Sequence, residues 1–574
     1  MRSRGNPRSS AANLAPGPAY SPAGAIGRRR TLRWIEALPG DRSALVWLIP
    51  LALAAIYLVV FVVQLRHNVI QTAWDSDYAS GFTIPETIVR TGTGGNTVIS
   101  SSGQWVPLWF GLLTATLPLH RVLWDIAPTL LFVATALTVG WSVSQVASRR
   151  AALLAVLLGL VASPLALSFF MAAVAHNTVY PCTALVGAYL VWLARGQGRR
   201  RLTTLLVPPL LGLVIGTCWA SDLLLVVTAI VPLTLTAVLA GLRRDRRSRL
   251  VALSALTSLA VAIVVARLTS SIMLSLGFLK LPTPAKVVPV SELPERAELL
   301  FKGLKALFNG YLSADNSGVL HAGLGVASDV VMSATLLTLL ILGARTAAGF
   351  FVSGLRKNDT QTPAQLARSL HVIYWVTSAA AACGAFWIAG ETGGGTNLHE
   401  SYYATVIFSV AAVVPLLAFA RSPARWLVAA GASIFFAASL VGLISYSTSA
   451  SSGLALNEPI VAKIARANHV TAGYGGYGVA SSLTWNSDGR VTVRPLMDCS
   501  NPGGANICPF YMSSVPSWYV PRQRHTFLLI DREELWVGSL PSGLGKPLAA
   551  YAFGQMLMYI YPYDIASRLG PQQD

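Results

Sequence analysis

The sequence predicts a polytopic all-α membrane protein of about eleven spans, followed by a C-terminal α+β domain. Three observations carry that reading. The 574 residues are 53% hydrophobic and only 12% charged, with a mean hydropathy of +0.56, whereas soluble domains run nearer about a quarter charged. Apolar runs of about twenty residues, the length that crosses a hydrocarbon core about 30 Å thick, recur along the chain. After Tyr446 hydrophobicity falls and short alternating segments take over.

The net charge of +19 would suit a nucleic-acid partner if it were gathered in a patch. Instead the arginines cluster in short connections between apolar runs, where membrane topology puts them, so no nucleic acid is expected.

Residues 1–40 are rich in Arg, Ser, Pro, Ala and Gly, with the basic run Arg28-Arg29-Arg30. No cleavable signal pattern precedes the first long apolar run, and a disordered cytoplasmic tail is expected. The membrane domain is expected over 41–450, with spans near 44–65, 122–145, 151–172, 178–195, 203–220, 222–242, 250–277, 325–345, 371–390, 402–420 and 425–446. Arg149-Arg150, Arg195 with Arg199 to Arg201, Arg243 to Arg249, Arg345 to Arg368 and Arg421 to Arg425 share one side with the tail. The N-terminus is therefore expected inside and the C-terminus outside, in a multi-pass cytoplasmic membrane protein.

The opposite side collects the unusual material. It holds the first loop, 66–121, then His176-Asn177, Ser221-Asp222, a loop from about Lys280 to Gly323, the segment Glu391 to Tyr403, and the tail 451–574. In the first loop Gly81–Arg90 and Trp105–Leu119 are aromatic-containing and too brief to span, and are expected as interfacial helices. A Gly/Ser/Thr turn from Gly92 to Gly103 joins them.

In the tail, RVTVRP and HTFLLID read as strands between turn signals at Asn486 to Gly489 and Asn501 to Gly504. Pro547–Tyr561 is expected as a closing helix with proline in its first turn. Cys499 and Cys508 share one Pro/Gly-rich loop, CSNPGGANIC, and in an oxidising compartment a local disulfide is expected. Two free thiols in a cytoplasmic domain are the competing reading. Cys182, Cys218 and Cys383 lie in or beside apolar runs as packing residues.

Asp75 and Asp77 lead the candidates for chemistry, because carboxylates are scarce here and these stand about ten residues beyond the first span. An i, i+2 pair cannot share a helix face, which suits a loop with one group turned into a cavity. One carboxylate can act as general base on an acceptor hydroxyl, and the two together can hold a divalent cation. Against this, Asp77 also suits a helix N-cap. Asp222 either faces a cavity at the outer edge of a span or caps a helix. His176 and Asn177, with Tyr180, can donate to a phosphate or sugar, or belong to an interfacial belt. His399, Glu400, Tyr402 and Tyr403 close the Gly-rich loop GETGGGTNLHESYY and are candidates to line a site. Of the outer cations, Arg66, Arg90, His120, Arg121, Lys302 and Lys305 can hold a phosphate through charge-assisted bonds or meet lipid head groups. No P-loop, HExxH, GxSxG or CxxC motif is present, so ATP hydrolysis and zinc proteolysis gain no support and no cofactor is implied beyond a candidate divalent cation.

The acidic loop WDSDYASG, the two helices after it, the further spans and the outer C-terminal domain together resemble the GT-C membrane glycosyltransferases. That class includes protein O-mannosyltransferases, aminoarabinose transferases and bacterial cell-envelope glycosyltransferases. The resemblance covers nearly the whole chain in layout but is specific in sequence only around Asp75 to Asp77. The tail segment TWNSDGRVTVRPLMDC with PSWYV also looks like the outer domains of bacterial members. The resemblance implies a polyprenyl-phosphate sugar donor, an envelope glycan, lipid or protein acceptor, and an acidic role for Asp75 or Asp77 as base or acceptor-orienting group. The chain departs from the mannosyltransferase pattern in lacking the Asp-Glu form of the acidic motif. It also has His399 to Tyr403 where an Arg-Tyr pair would open a late span. A transporter or flippase of lipid-linked saccharides is the alternative from another class, though it would need a polar path across the membrane. An O-antigen polymerase or ligase is a further one, which lacks this early acidic loop.

Overall fold

The computed structural model describes residues 45–64, 76–92, 97–99, 105–118, 120–171, 176–196, 201–280, 286–313, 318–355, 361–390, 402–418, 424–449, 453–487, 489–499, 506–510, 513–531, 540 and 543–571. The expected tail 1–40 lies outside them. In chain order the helices are α1 (Leu48–Gln64), α2 (Ser76–Thr91), α3 (Trp105–Thr114), α4 (His120–Val146), α5 (Arg149–Leu160), α6 (Pro164–Met171), α7 (Val179–Ala194), α8 (Arg201–Ser221), α9 (Val231–Gly241), α10 (Arg246–Ser275), α11 (Leu293–Leu307), α12 (Val319–Leu355), α13 (Pro363–Ile388), α14 (Thr405–Val413), α15 (Ala424–Ser449), α16 (Gly453–Ala467) and α17 (Tyr477–Asn486).

Among the described residues five helices are long and apolar enough to cross a membrane, within α4, α10, α12, α13 and α15. Their outward faces expose side chains such as Leu253, Val264 and Leu268, a surface that suits lipid rather than water. The chain is thus a membrane protein, but the expected eleven spans are not found. Each expected segment falls on a helix, and those outside the five are mostly short apolar helices, with one bent pair. A 16-residue helix such as α7 is about 24 Å long at 1.5 Å per residue, less than the hydrocarbon core of about 30 Å. The segment 151–172 is not straight: α5 and α6 meet at 84°. Pro164 ends the first helix, since a residue before proline avoids the helical region. The buried backbone at the bend is satisfied by Tyr57, whose hydroxyl donates to the Ala162 carbonyl at 2.7 Å.

Local signals explain the helix starts. Asp245 caps α10 by accepting from Ser248 N at 2.8 Å, and Thr362 with Gln365 forms a capping box on α13. Packing between spans relies on small residues. A Cβ on Gly212 or Gly216 of α8 would stand 2.6 Å from the Ser258 or Ala262 carbonyl of α10, so those backbones touch only because both positions are glycine. Arg243, expected as a topology charge, is instead a buried clamp. Its Nη1 donates to Phe350 O and Ser353 Oγ on α12, and its Nε to Asp245.

The first loop carries α2 and α3 as expected, but both are covered by protein. Ile84 of α2 packs with Trp105 and Leu108 of α3 in a cluster that includes Trp518 from the tail. The expected turn from Gly92 to Gly103 contains a short strand, β1 (Thr97–Ile99), paired in parallel with β2 (Phe278–Lys280). Two further short strands, β3 (Lys286–Val287) and β4 (Ala389–Gly390), pair antiparallel.

The C-terminal region is built on a six-stranded sheet of β5 (Ala472–Gly476), β6 (Thr492–Asp498), β7 (Ile507–Pro509), β8 (Thr526–Asp531), β9 (Ala549–Phe553) and β10 (Met556–Tyr561), in the order β7-β6-β5-β8-β10-β9. β5 runs parallel to β6 and β8, and the other pairs are antiparallel. One face, with Val493, Phe527, Leu529 and Met558, packs on α16 and α17. The strands β6 and β8 fall where the alternation placed them. The closing helix does not form: its residues make the β9–β10 hairpin. A two-residue turn with Gly554 at φ 56° reverses the chain, and alternate side chains of β10 are buried, a period of two that a helix cannot satisfy. Cys499 and Cys508 are bridged, with Cα atoms 5.8 Å apart.

Candidate functional site

The N-terminal end of α7 and the C-terminal end of α8 bring several sequence candidates together. His176, just before α7, sits in the left-handed region at φ 68°, a strained conformation for a residue with a Cβ. Its neighbour Asn177 is buried and donates from Nδ2 to Phe170 O at 3.1 Å, closing the last turn of α6. Asp222, just past α8, is buried and uses both oxygens. Oδ1 accepts from Leu224 N at 2.8 Å, and Oδ2 meets Nδ1 of His176 at 2.6 Å. Asp222 is therefore a helix cap and a histidine partner at once. Tyr402 stands over this pair, its ring centroid 6.1 Å from that of His176. Tyr180, buried below, stacks edge-on against Phe170 at 5.0 Å.

This cluster is tied to the first loop. Ser221, next to Asp222, accepts from Val106 N at the start of α3, 3.1 Å away. Asp77 lies in the first turn of α2, as an N-terminal acid would, and its side chain is outside the description. Asp75, Arg66, His399 and Glu400 lie outside the described residues. His120 and Arg121 open α4.

Other candidates go elsewhere. Tyr403 turns away from Tyr402 into the core, edge-on to Phe386 at 5.1 Å. It reaches α11 at Gly303, where a Cβ would stand 1.6 Å from its hydroxyl. Lys302 is exposed and paired with Glu298 at 2.7 Å; Lys305 pairs with Asp329 at 2.7 Å, and Arg90 pairs with Glu86. These three cations are engaged with carboxylates on the protein. Among the described residues no group of three or more His, Cys, Asp or Glu side chains is placed to hold a metal ion.

Sequence reasoning missed the aromatic cover. Trp485 of α17 packs against Phe82 of α2 at a centroid distance of 4.0 Å, in a buried cluster with Ala79 and Trp124. Trp518 donates from Nε1 to Thr87 Oγ1 of α2 at 2.9 Å. Its ring carries the Arg494 guanidinium 4.5 Å from the centroid. Burial pushes the Arg494 pKa down to about 10, while Tyr519, Tyr474 and Glu86 beside it resist that fall. Tail aromatics without a helical or strand period give no sign in the sequence of what they will cover.

The fold and the cluster define a helical membrane protein with a buried acid paired to a half-buried histidine at one end of its helices and a sheet-containing region packed on its first loop. No protein-family model matches the chain, and no curated protein or solved structure matches it.

Proposed function

We propose that this chain is an integral membrane glycosyltransferase, moving one sugar from a polyprenyl-phosphate donor to an envelope glycan, lipid or protein. The reaction is assigned to the outer face of the cytoplasmic membrane, with the N-terminus inside and the C-terminal region outside. The observation that carries the reading is the meeting of His176, Asp222 and Tyr402 next to Ser221, which holds the start of α3 in the first loop.

In this reading Asp75 or Asp77 takes the proton of the acceptor hydroxyl. The acceptor oxygen bonds to the anomeric carbon as the bond from that carbon to the phosphate oxygen breaks, and polyprenyl phosphate leaves. His176, held at Nδ1 by Asp222, turns Nε2 to the departing phosphate and binds it through a hydrogen bond. Tyr402 lines the sugar side. The absence of nucleotide-binding motifs suits a donor whose energy is already stored in the sugar–phosphate bond.

The test uses the purified full chain in detergent with polyprenyl-phosphate sugars and candidate acceptors. A transferase forms product in a single compartment, whereas a flippase forms none. Full turnover by the Asp75→Ala, Asp77→Ala double variant would sink the assignment.

A further inference from the structure

Helix α11 has three faces rather than two. Arg296, Leu300, Gly303, Leu304 and Leu307 turn toward the protein, and Glu295, Glu298 and Lys302 are exposed together on another side. Between them runs a third stripe of exposed apolar residues: Val290 in the turn before the helix, then Pro294, Ala297 and Phe301. Their spacing of i, i+4, i+7 and i+11 places them along one line of a helix. Val290 is 82% exposed and Phe301 50%, although the protein-facing side of the same helix is well packed.

The height of α11 is set by α13. Arg296 donates from Nη2 to Ala389 O at 2.6 Å and lies over the Phe386 ring at 4.7 Å. Trp387 donates from Nε1 to Leu293 O at 2.9 Å. These bonds pin α11 to the end of a membrane-crossing helix, which by its length ends where hydrocarbon meets head groups. Trp387 and Ile388 are themselves exposed there, and tryptophan is the residue of that boundary.

We propose that α11 lies flat in the surface of the bilayer, with the Val290, Pro294, Ala297 and Phe301 stripe in the acyl-chain boundary and Glu295, Glu298 and Lys302 in the head-group water. The occupant of the apolar stripe is lipid because the helix that carries it is bonded to the end of a membrane-crossing helix, whose last residues Trp387 and Ile388 are themselves exposed. The salt bridge from Glu298 to Lys302 leaves Glu295 as the unbalanced charge of the wet face, so the contact is apolar and does not select anionic lipid. The inference is independent of the transferase reading.

Spin labels on the full chain test it in vesicles of phosphatidylcholine and phosphatidylglycerol. Cys182, Cys218 and Cys383 are replaced by Ala, the disulfide is retained, and Val290→Cys, Phe301→Cys or Glu298→Cys is introduced singly. Labels at 290 and 301 should collide severalfold more with oxygen than with a water-soluble nickel chelate, and the label at 298 should show the reverse. Position 290 reports even if replacing Phe301 disturbs the helix. Equal exposure of all three labels to the nickel chelate would overturn the proposal.

Discussion

Nδ1 of His176 and Oδ2 of Asp222 stand 2.6 Å apart across 46 residues of sequence, and the second oxygen of the same carboxylate caps the turn after α8. One side chain thus fixes both a histidine and a backbone. The two jobs separate by substitution. Asp222→Asn keeps an acceptor for Leu224 N, whereas Asp222→Ala orphans a buried donor and a half-buried imidazole, costing about 1–3 kcal/mol. Thermal unfolding in detergent should place the Asn variant near the parent and the Ala variant well below it. Sugar transfer should fall in both, because neither keeps the carboxylate on His176. Equal melting of the two variants would deny the cap its role.

The first-loop acids should affect chemistry without affecting the fold. Asp75→Ala with Asp77→Ala should abolish transfer and leave the elution profile and melting temperature in place. The single variants then assign the base: the one that alone loses about 10²–10⁴-fold in rate carries the proton.

The α8–α10 contact should tolerate no side chain. In Gly212→Val or Gly216→Val, the new atoms meet carbonyl oxygens of α10 rather than a movable side chain. Overpacking of this kind costs about 1–3 kcal/mol. Reduced yield of the monodisperse protein and a lower melting temperature should follow, and parent-like values in both would show that α8 and α10 can separate freely.

Loss of the Cys499–Cys508 bridge should weaken the C-terminal sheet. The chain-entropy estimate for so short a loop is about 2–3 kcal/mol. Cys499→Ser with Cys508→Ser should bring protease cleavage after residue 453 at a lower temperature than in the parent. On intact cells, a membrane-impermeant maleimide should label these cysteines only after reduction. Labelling without reductant, and only in permeabilised cells, would place the region inside.

Trp485→Ala should loosen the cover on α2. Large-to-small replacements of a buried aromatic cost about 3–5 kcal/mol, and here the loss falls between two elements distant in sequence. Hydrogen exchange in α2 and α17 should accelerate together while α10 and α13 keep their protection. A uniform change across all four would mean that Trp485 supports the whole fold instead.

The helices of the membrane body were legible because apolar runs and arginine-rich connections are written residue by residue. Their number as crossings was not, since hydropathy counts apolar residues and cannot see that Pro164 folds one run back at 84° or that α7 stops after 16 residues. The tail strands around Val493 and Leu528 followed from alternation. The β9–β10 hairpin was misread because Pro547 imitates a helix start, while the decisive Gly554 turn lies in the middle of the segment. At the site, Asp222, His176 and Tyr402 could be picked from their place at the ends of apolar runs, but not their convergence, which depends on how α7 and α8 pack. Helix α11 escaped notice because a three-sided pattern matches neither a half-buried helix nor a span.

The contact between Phe82 and Trp485 also sets an order of events in time. About 400 residues separate the two rings, so at about 5–20 residues per second the ribosome needs on the order of 20–80 s to deliver the second after the first. Over that interval the acidic loop has been made while its aromatic cover has not. The newborn chain must hold α2 with α3 at first, joined by the strand pair only once residues 278–280 have been made, and the loop is sealed only when synthesis is nearly finished.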